Sequence, residues 1–310
     1  MPIFKITENK KLSKVEEKRF DLEKDLQKLT EENLKEIFGL DFIYGSLNKQ
    51  LVIQNFELDT LAFDPDAKSF VIIEYKNDKS FSVIDQGFNY LSLMLNNKAE
   101  FILGYNEGKK ANLKKDDIDW SQSRVIFVAP SFTPYQKGAI AFKDLPIELW
   151  EVTLWKDNLI LYNQLKPPEV SESIQKVTKN KTIANVSKEI KTYTLDDHLS
   201  KANNEIINLF YKFREKIFEL DSRIQEKPVS WYIAYRIKYH NFCSISFYKQ
   251  KLRLFIRAKS IDDPRVKFKT VPSKWGWGKT PLWQGDLTKE TEIDYTMNIV
   301  KQGYEAAPDK

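Results

Sequence analysis

Cysteine is almost missing from this chain of 310 residues: Cys243 stands alone. A lone thiol excludes an internal disulfide and any cysteine-based zinc site. Histidine is nearly as scarce. His198 and His240 are the only two, which excludes a histidine-rich metal centre. No apolar run approaches the ~18 residues that a membrane-crossing helix needs. The opening residues 1–11 lack the apolar stretch of a signal peptide. The expectation is a cytoplasmic protein with no membrane partner. Net charge is only +5, too small for the whole chain to argue for a polyanionic partner, so the distribution of charge has to decide. At 42% hydrophobic the chain can fill real cores, and its length suggests about two domains.

The stretch with the most chemistry is residues 56–90. It reads as strand, tight turn, strand and helix. Residues 56–63 are β-branched and aromatic with short acidic interruptions. A turn follows at 64–68, where Pro65 presets φ and the flanking Asp side chains bond nearby backbone. The second strand carries Phe70, Val71, Ile72 and Ile73, then turns polar at Glu74 and Lys76. Folding this hairpin about residue 66 sets Asp59 roughly opposite Ile73, and so beside Glu74. Side chains alternate along a strand, which puts Glu74 and Lys76 on one face. Two carboxylates and an ammonium then meet at the end of a buried hairpin. Burying such charges costs several kcal/mol each unless they are paired or hold a metal. Asp59 and Glu74 offer hard oxygen ligands of the kind Mg²⁺ or Mn²⁺ takes. Lys76 could orient an attacking water or offset charge on a phosphate. A plain salt bridge at a strand end is the competing explanation.

The D-x14-E-x-K spacing of Asp59, Glu74 and Lys76 resembles the PD-(D/E)XK nuclease superfamily, with Leu58 where the usual proline stands. Ten residues on, Gln86-Gly87-Phe88-Asn89-Tyr90 resembles the Q-x-x-x-Y signature of its RecB-like branch. Gln86 and Tyr90, four apart on a helix, would share a face. Residues 20–43, FDLEKDLQKLTEENLKEIFGLDFI, resemble the start of the nuclease domain in NucS-like endonucleases. In that family a helix glutamate in an E-x-x-L context completes the metal site. Glu23 matches it best, with Glu32 and Glu36 as fallbacks; on an amphipathic helix alone, a Glu is usually a solvated residue. The resemblance implies a Mg²⁺- or Mn²⁺-dependent endonuclease cutting DNA, in a defence, restriction or repair setting. Glu23, Asp59 and Glu74 would hold metal, Lys76 would assist the water, and Gln86 and Tyr90 would steady the substrate strand. Because related nucleases often dimerise, it also admits a homodimer. Two other classes stay open: an inactive nucleic-acid binder on a nuclease scaffold, and a protein-interaction module.

Around this centre the pattern predicts helix over 12–38 with a break near Thr30 and a closing Gly39, strands at 41–44 and 50–53, and helix over 83–97. Strands at 101–104 and 124–129, helix at 131–142, and strands at 147–155 and 158–165 complete a nuclease-like domain over 1–165. The fold class is α/β (α+β): a restriction-endonuclease-like mixed sheet with helices on both faces. Residues 166–194 turn polar after Pro167-Pro168 and read as a linker. Residues 195–310 read as a second α+β domain, with helices at 197–220 and 293–304 and strands at 230–238, 242–247 and 251–258.

This second domain is where positive charge concentrates. Between Lys227 and Lys279 stand thirteen Lys or Arg against two Asp. Trp231, Tyr235, Tyr239, Phe242, Tyr248, Trp275 and Trp277 are interleaved. Cations for phosphates and rings for bases make a nucleic-acid surface, with Arg253 and Arg257 as its candidate substrate contacts; at strand spacing, about half of such rings belong to a core. The tract also resembles an uncharacterised domain often fused behind such nucleases, whose carriers frequently bear a transport-protein label that the lack of a membrane segment contradicts.

Overall fold

The computed structural model describes residues 2–18, 20, 23–76, 82–142, 144–166, 174, 180–272 and 281–307. The chain divides into two compact units. The first takes in Met1–Asp64 and Lys68–Thr192, the second Tyr193–Lys310 with Pro65–Ala67.

The first unit opens with strands β1 (Phe4–Ile6), β2 (Leu12–Lys14) and β3 (Glu17–Lys18). Helices α1 (Glu23–Glu32) and α2 (Leu34–Phe38) follow. Then come β4 (Asp41–Tyr44), the small hairpin β5 (Leu51–Ile53) and β6 (Phe56–Leu58), and the central hairpin β7 (Thr60–Asp64) and β8 (Ser69–Tyr75). Helices α3 (Val83–Asn96) and α4 (Lys98–Lys109) precede β9 (Arg124–Ala129), α5 (Pro134–Ala139), β10 (Ile147–Trp155), β11 (Leu159–Leu165) and α6 (Lys181–Glu189).

The sheet runs β11-β10-β9-β8-β7-β4, with β3 also on β10. Its middle pairs, β8 with β9 and β9 with β10, are parallel, while β7–β8 and β10–β11 are antiparallel. Every residue of β7 and β8 is buried, as a strand covered on both faces requires. Alternation sorts them. Phe70 and Ile72 join Phe88, Leu91, Met94 and Phe101 from α3 and α4. Val71, Ile73 and Tyr75 join Leu26, Leu34 and Phe38 from α1 and α2. The result is the mixed sheet with helices on both faces that the sequence pattern implies.

Several expected elements differ. The helix over 12–38 begins only at Glu23, and β2 and β3 occupy part of its front. Its internal break falls at Asn33 rather than Thr30, whose hydroxyl instead bonds back to the Leu26 carbonyl at 2.7 Å. Gly39 does close α2, with φ at 71°, the left-handed conformation that glycine adopts freely. Residues 101–104 are helix inside α4, because an apolar run so short does not separate strand from helix. The helix over 131–142 shrinks to α5, opened by Thr133, whose side chain accepts from the Gln136 N–H at 3.2 Å. The linker expected over 166–194 is corrected at α6. Ile183, Val186 and Ile190 are buried in the core that holds Leu91 and Met94. Three apolar residues at helical spacing suffice to dock a helix whose composition is otherwise polar. Residues 167–173 and 175–179 of that segment lie outside the described residues.

The second unit carries α7 (Leu195–Leu199), α8 (Asn204–Leu220), β12 (Gln225–Pro228), β13 (Ile233–Ile237), β14 (His240–Tyr248), β15 (Lys251–Arg257), β16 (Lys269–Thr270), β17 (Leu282–Leu287) and α9 (Ile293–Glu305). Its sheet runs β12-β13-β14-β15-β17-β16, antiparallel throughout. The helix expected over 197–220 is interrupted, since the Asn203 side chain accepts from the Ile206 N–H at 2.9 Å and starts α8 afresh. Ile206, Phe210, Phe213 and Ile217 pack on Ile245, Leu254 and Ile256. Among the described residues, no helix is long and apolar enough to cross a membrane.

If α6 is part of the first core, Val186→Asp should destabilise that unit by about 3 kcal/mol or more. Urea unfolding followed by tryptophan fluorescence reads this; in a mere linker the same change would leave the midpoint where it was.

Candidate active site

The site is built where β8 leaves the sheet. Thr60 pairs with Ile73 and Asp64 with Ser69, so one further step along the ladder brings Asp59 to Glu74. That is one residue off a hairpin folded about residue 66, because the turn holds four residues and Lys68 takes a φ of 52° within it. Asp59 occupies a bend between β6 and β7. Glu74 continues the parity of Phe70 and Ile72, so its side chain faces α3.

Helix α3 brings the rest. Ser82 caps it, accepting from the Asp85 N–H at 3.3 Å. Gly87 lets it lie close on the sheet: a Cβ there would stand 2.4 Å from Ile147 Cδ1. Gln86 and Tyr90 come over Glu74 together, one helical turn apart. The Gln86 amide donates to Glu74 Oε1 at 3.1 Å and to the Tyr90 hydroxyl at 3.3 Å. Lys76 Nζ donates to the same Glu74 oxygen at 2.7 Å. The Tyr75 N–H donates to Asp59 Oδ2 at 3.1 Å. The second Glu74 oxygen, Oε2, is buried with no hydrogen-bond partner, as is Oε1 of Gln86.

Charge is crowded here. Burial, and after it the Glu74 charge, push Asp59 from its ordinary carboxyl range up to about 7. Burial and then Glu74 also lift the Tyr90 phenol well above its usual value, so it stays protonated. For Lys76, burial favours the neutral amine, but the bond to Glu74 and its charge outweigh it and the pKa rises.

The site therefore gathers Asp59, Glu74, Lys76, Gln86 and Tyr90. Glu23 stands at the edge of this group, near enough for its charge to raise the pKa of both Asp59 and Lys76. It is exposed at the start of α1. Among the described residues, no three acidic, His or Cys side chains converge into a group able to hold a metal. Glu32 and Glu36 are exposed as well. The acid of α1 that turns to the sheet is Glu31, 3% exposed. Gln27 lies one turn before it; its amide donates to Glu31 Oε1 at 2.9 Å and to the Asp59 carbonyl at 2.9 Å. Sequence reasoning missed both. The available signal was positional: Gln27 and Glu31 lie in one stripe with Leu26, Thr30 and Leu34, and polar residues there are not solvated.

The second unit's candidates sit on β15. Arg253 donates through Nε and Nη2 to the two oxygens of Asp286, at 2.8 and 3.2 Å, and Lys251 donates to Asp286 at 2.7 Å. Two cations of that basic face are thus bonded to one acid on β17, which the charge count had not weighed. The Arg257 side chain is 18% exposed. Of the interleaved rings, Tyr235 and Phe242 are core, whereas Trp231 and Tyr248 are exposed; Trp275 and Trp277 lie outside the described residues.

Fold and site together define a mixed-sheet α+β protein with a buried Glu74 and a half-buried Asp59 at a strand end. No family model matches the chain. An uncharacterised protein of Haemophilus influenzae is 40% identical over 296 residues, covering 94% of this chain and 95% of the relative. The chain belongs to the family of that protein. A repair endonuclease from Pyrococcus abyssi shows a slight structural likeness, with 21% identity, 43% of this chain and 48% of that one covered, and a TM-score of 0.25.

An acid whose pKa is raised by folding binds a proton that the unfolded chain has already released. Stability then falls as pH climbs from the unfolded value to about 7, and stays low above it. Metal-free Asp59→Asn should lose this decline and melt roughly 2–6 °C higher than the parent at pH 8, with little difference at pH 4. Calorimetry at the two pH values checks it.

Proposed function

We propose that this protein is a metal-dependent nuclease of the PD-(D/E)XK kind that hydrolyses phosphodiester bonds in DNA. Glu74 carries the proposal. It is a buried carboxylate with one oxygen bonded to Lys76 and Gln86 and the other without a partner, beside a second acid that retains its proton to near neutrality. Two acids so placed suit a cation. The donors are all oxygens, as Mg²⁺ and Mn²⁺ prefer. A pair is enough, since Mg²⁺ keeps several waters and takes further oxygens from substrate phosphate. Asp59 and Glu74 would hold the ion. When bound, such an ion polarises a phosphoryl oxygen and lowers the pKa of an attacking water.

The remaining groups have distinct work. Lys76, kept protonated by Glu74, orients the water and offsets charge growing on the phosphate. Tyr90 offers a neutral phenol O–H from α3, and Gln86 a neutral amide, to the oxygens of the bound strand. DNA is proposed as the substrate from the D-x14-E-x-K and Q-x-x-x-Y pattern together with the basic stretch of the second unit.

The test is a cleavage panel of single-stranded, duplex, flapped and mismatched DNA with Mg²⁺ or Mn²⁺. The parent protein should cut at least one substrate and stop on chelation. Glu74→Ala should abolish cutting with the fold intact, and Lys76→Met should slow it roughly 10²-fold or more. A parent protein that binds DNA in chelator and cuts nothing with either metal would instead be a binding scaffold.

A further inference from the structure

The bend at Asp59 has a support that the proposed chemistry does not use. Strand β6 pairs with β5 and β7 with β8, so Asp59 falls between two ladders. What reaches it from outside is α1. The Gln27 amide donates at 2.9 Å to the Asp59 carbonyl, and one residue on, the Thr60 hydroxyl donates at 2.5 Å to Glu31 Oε1. The same Gln27 amide donates to that Glu31 oxygen at 2.9 Å. Helix and bend are thus joined on both sides of one peptide unit.

Glu31 in turn is held hard. Its Oε1 also accepts from the Ser46 N–H at 3.1 Å, and its Oε2 from the Ser46 hydroxyl at 2.6 Å and the Leu47 N–H at 3.2 Å. Five donors around a carboxylate that is 3% exposed offset the cost of burying it. They also leave it no freedom to swing. Gly45 is part of the same fit: a Cβ there would stand 2.2 Å from Glu31 Oε1. A side chain so saturated is not a ligand in waiting. It is a fixed point against which a neighbouring backbone can be located.

We infer that Gln27, anchored by Glu31, is a positioning residue: it fixes the bend that aims the Asp59 carboxylate at Glu74. The inference rests on the proposed metal-dependent function for its consequence, but not for its geometry. Gln27 lies on the α1 side of the sheet and Glu74 on the α3 side, so Gln27 acts through the backbone alone. Supports of this kind that orient a metal-binding side chain typically change affinity or activity 10- to 100-fold when removed.

Gln27→Met keeps the volume and removes the donor; Gln27→Asn keeps the amide but is one methylene too short to reach. Two readouts on each separate positioning from general stability. The first is hydrogen exchange at the Tyr75 amide in metal-free protein, since that N–H is held by Asp59 Oδ2. The second is Mn²⁺ affinity by calorimetry, together with kcat and KM for DNA cleavage. Expected is faster Tyr75 exchange than in the parent, Mn²⁺ binding about tenfold weaker or more, a matching loss in kcat, and a KM within roughly twofold. Tyr75 exchange and Mn²⁺ affinity both at the parent's level in either folded variant would overturn the inference. Should the parent itself bind no Mn²⁺, the proposed function falls, while Tyr75 exchange still decides whether Gln27 sets the bend.

Discussion

Like charges held close in a low-dielectric place need either a proton or a cation between them. In this protein the pair is Asp59 and Glu74, and the fold leaves them little escape. Glu74 lies on a strand whose residues are all buried, so it cannot turn to water without leaving the sheet. Asp59 is fixed by its bond to the Tyr75 amide. Lys76 neutralises one charge at 2.7 Å, but it bonds Glu74 and leaves Asp59 to rise to about 7. One ammonium faces two acids, and the Glu74 charge adds to the effect of burial on Asp59.

The rest of the first unit supports this arrangement from both faces. On one side, α3 comes close enough at Gly87 to lay Gln86 and Tyr90 over Glu74. On the other, α1 presents Gln27 and the saturated Glu31 to the bend. A parallel centre with antiparallel margins lets β8 end beside β9 with α3 following. The Lys76 N–H still bonds the Val128 carbonyl at 2.9 Å, so the backbone under the site stays in register to its last residue.

What was legible in the sequence was whatever period and chemistry both marked. Apart from residues 101–104, the strands from Asp41 to Leu165, the parity of Glu74 and Lys76, and the shared face of Gln86 and Tyr90 follow from alternation or helical spacing. Boundaries set by single hydrogen bonds were not legible. Asn203 splits one expected helix through a cap, and the four-residue turn shifts the Asp59 pairing by one position. Helix α6 was hidden because a few apolar residues dock it while its composition reads as linker. Glu23 was favoured by a motif and Glu31 overlooked as a face residue. That Glu31 is the buried one is something only tertiary packing could say. In the second unit, counting charge missed that Asp286 holds two of the cations.

The proposed function turns on whether Asp59, its pKa raised to about 7, gives up its proton when a cation binds. The direct measurement is calorimetry of Mn²⁺ binding to the DNA-free protein in buffers of different ionisation enthalpy, which counts protons released. The account predicts release of close to one proton per Mn²⁺ at about pH 6, fading toward zero at about pH 9. Binding with no proton release at the lower pH, or no binding at all across the range, would contradict it.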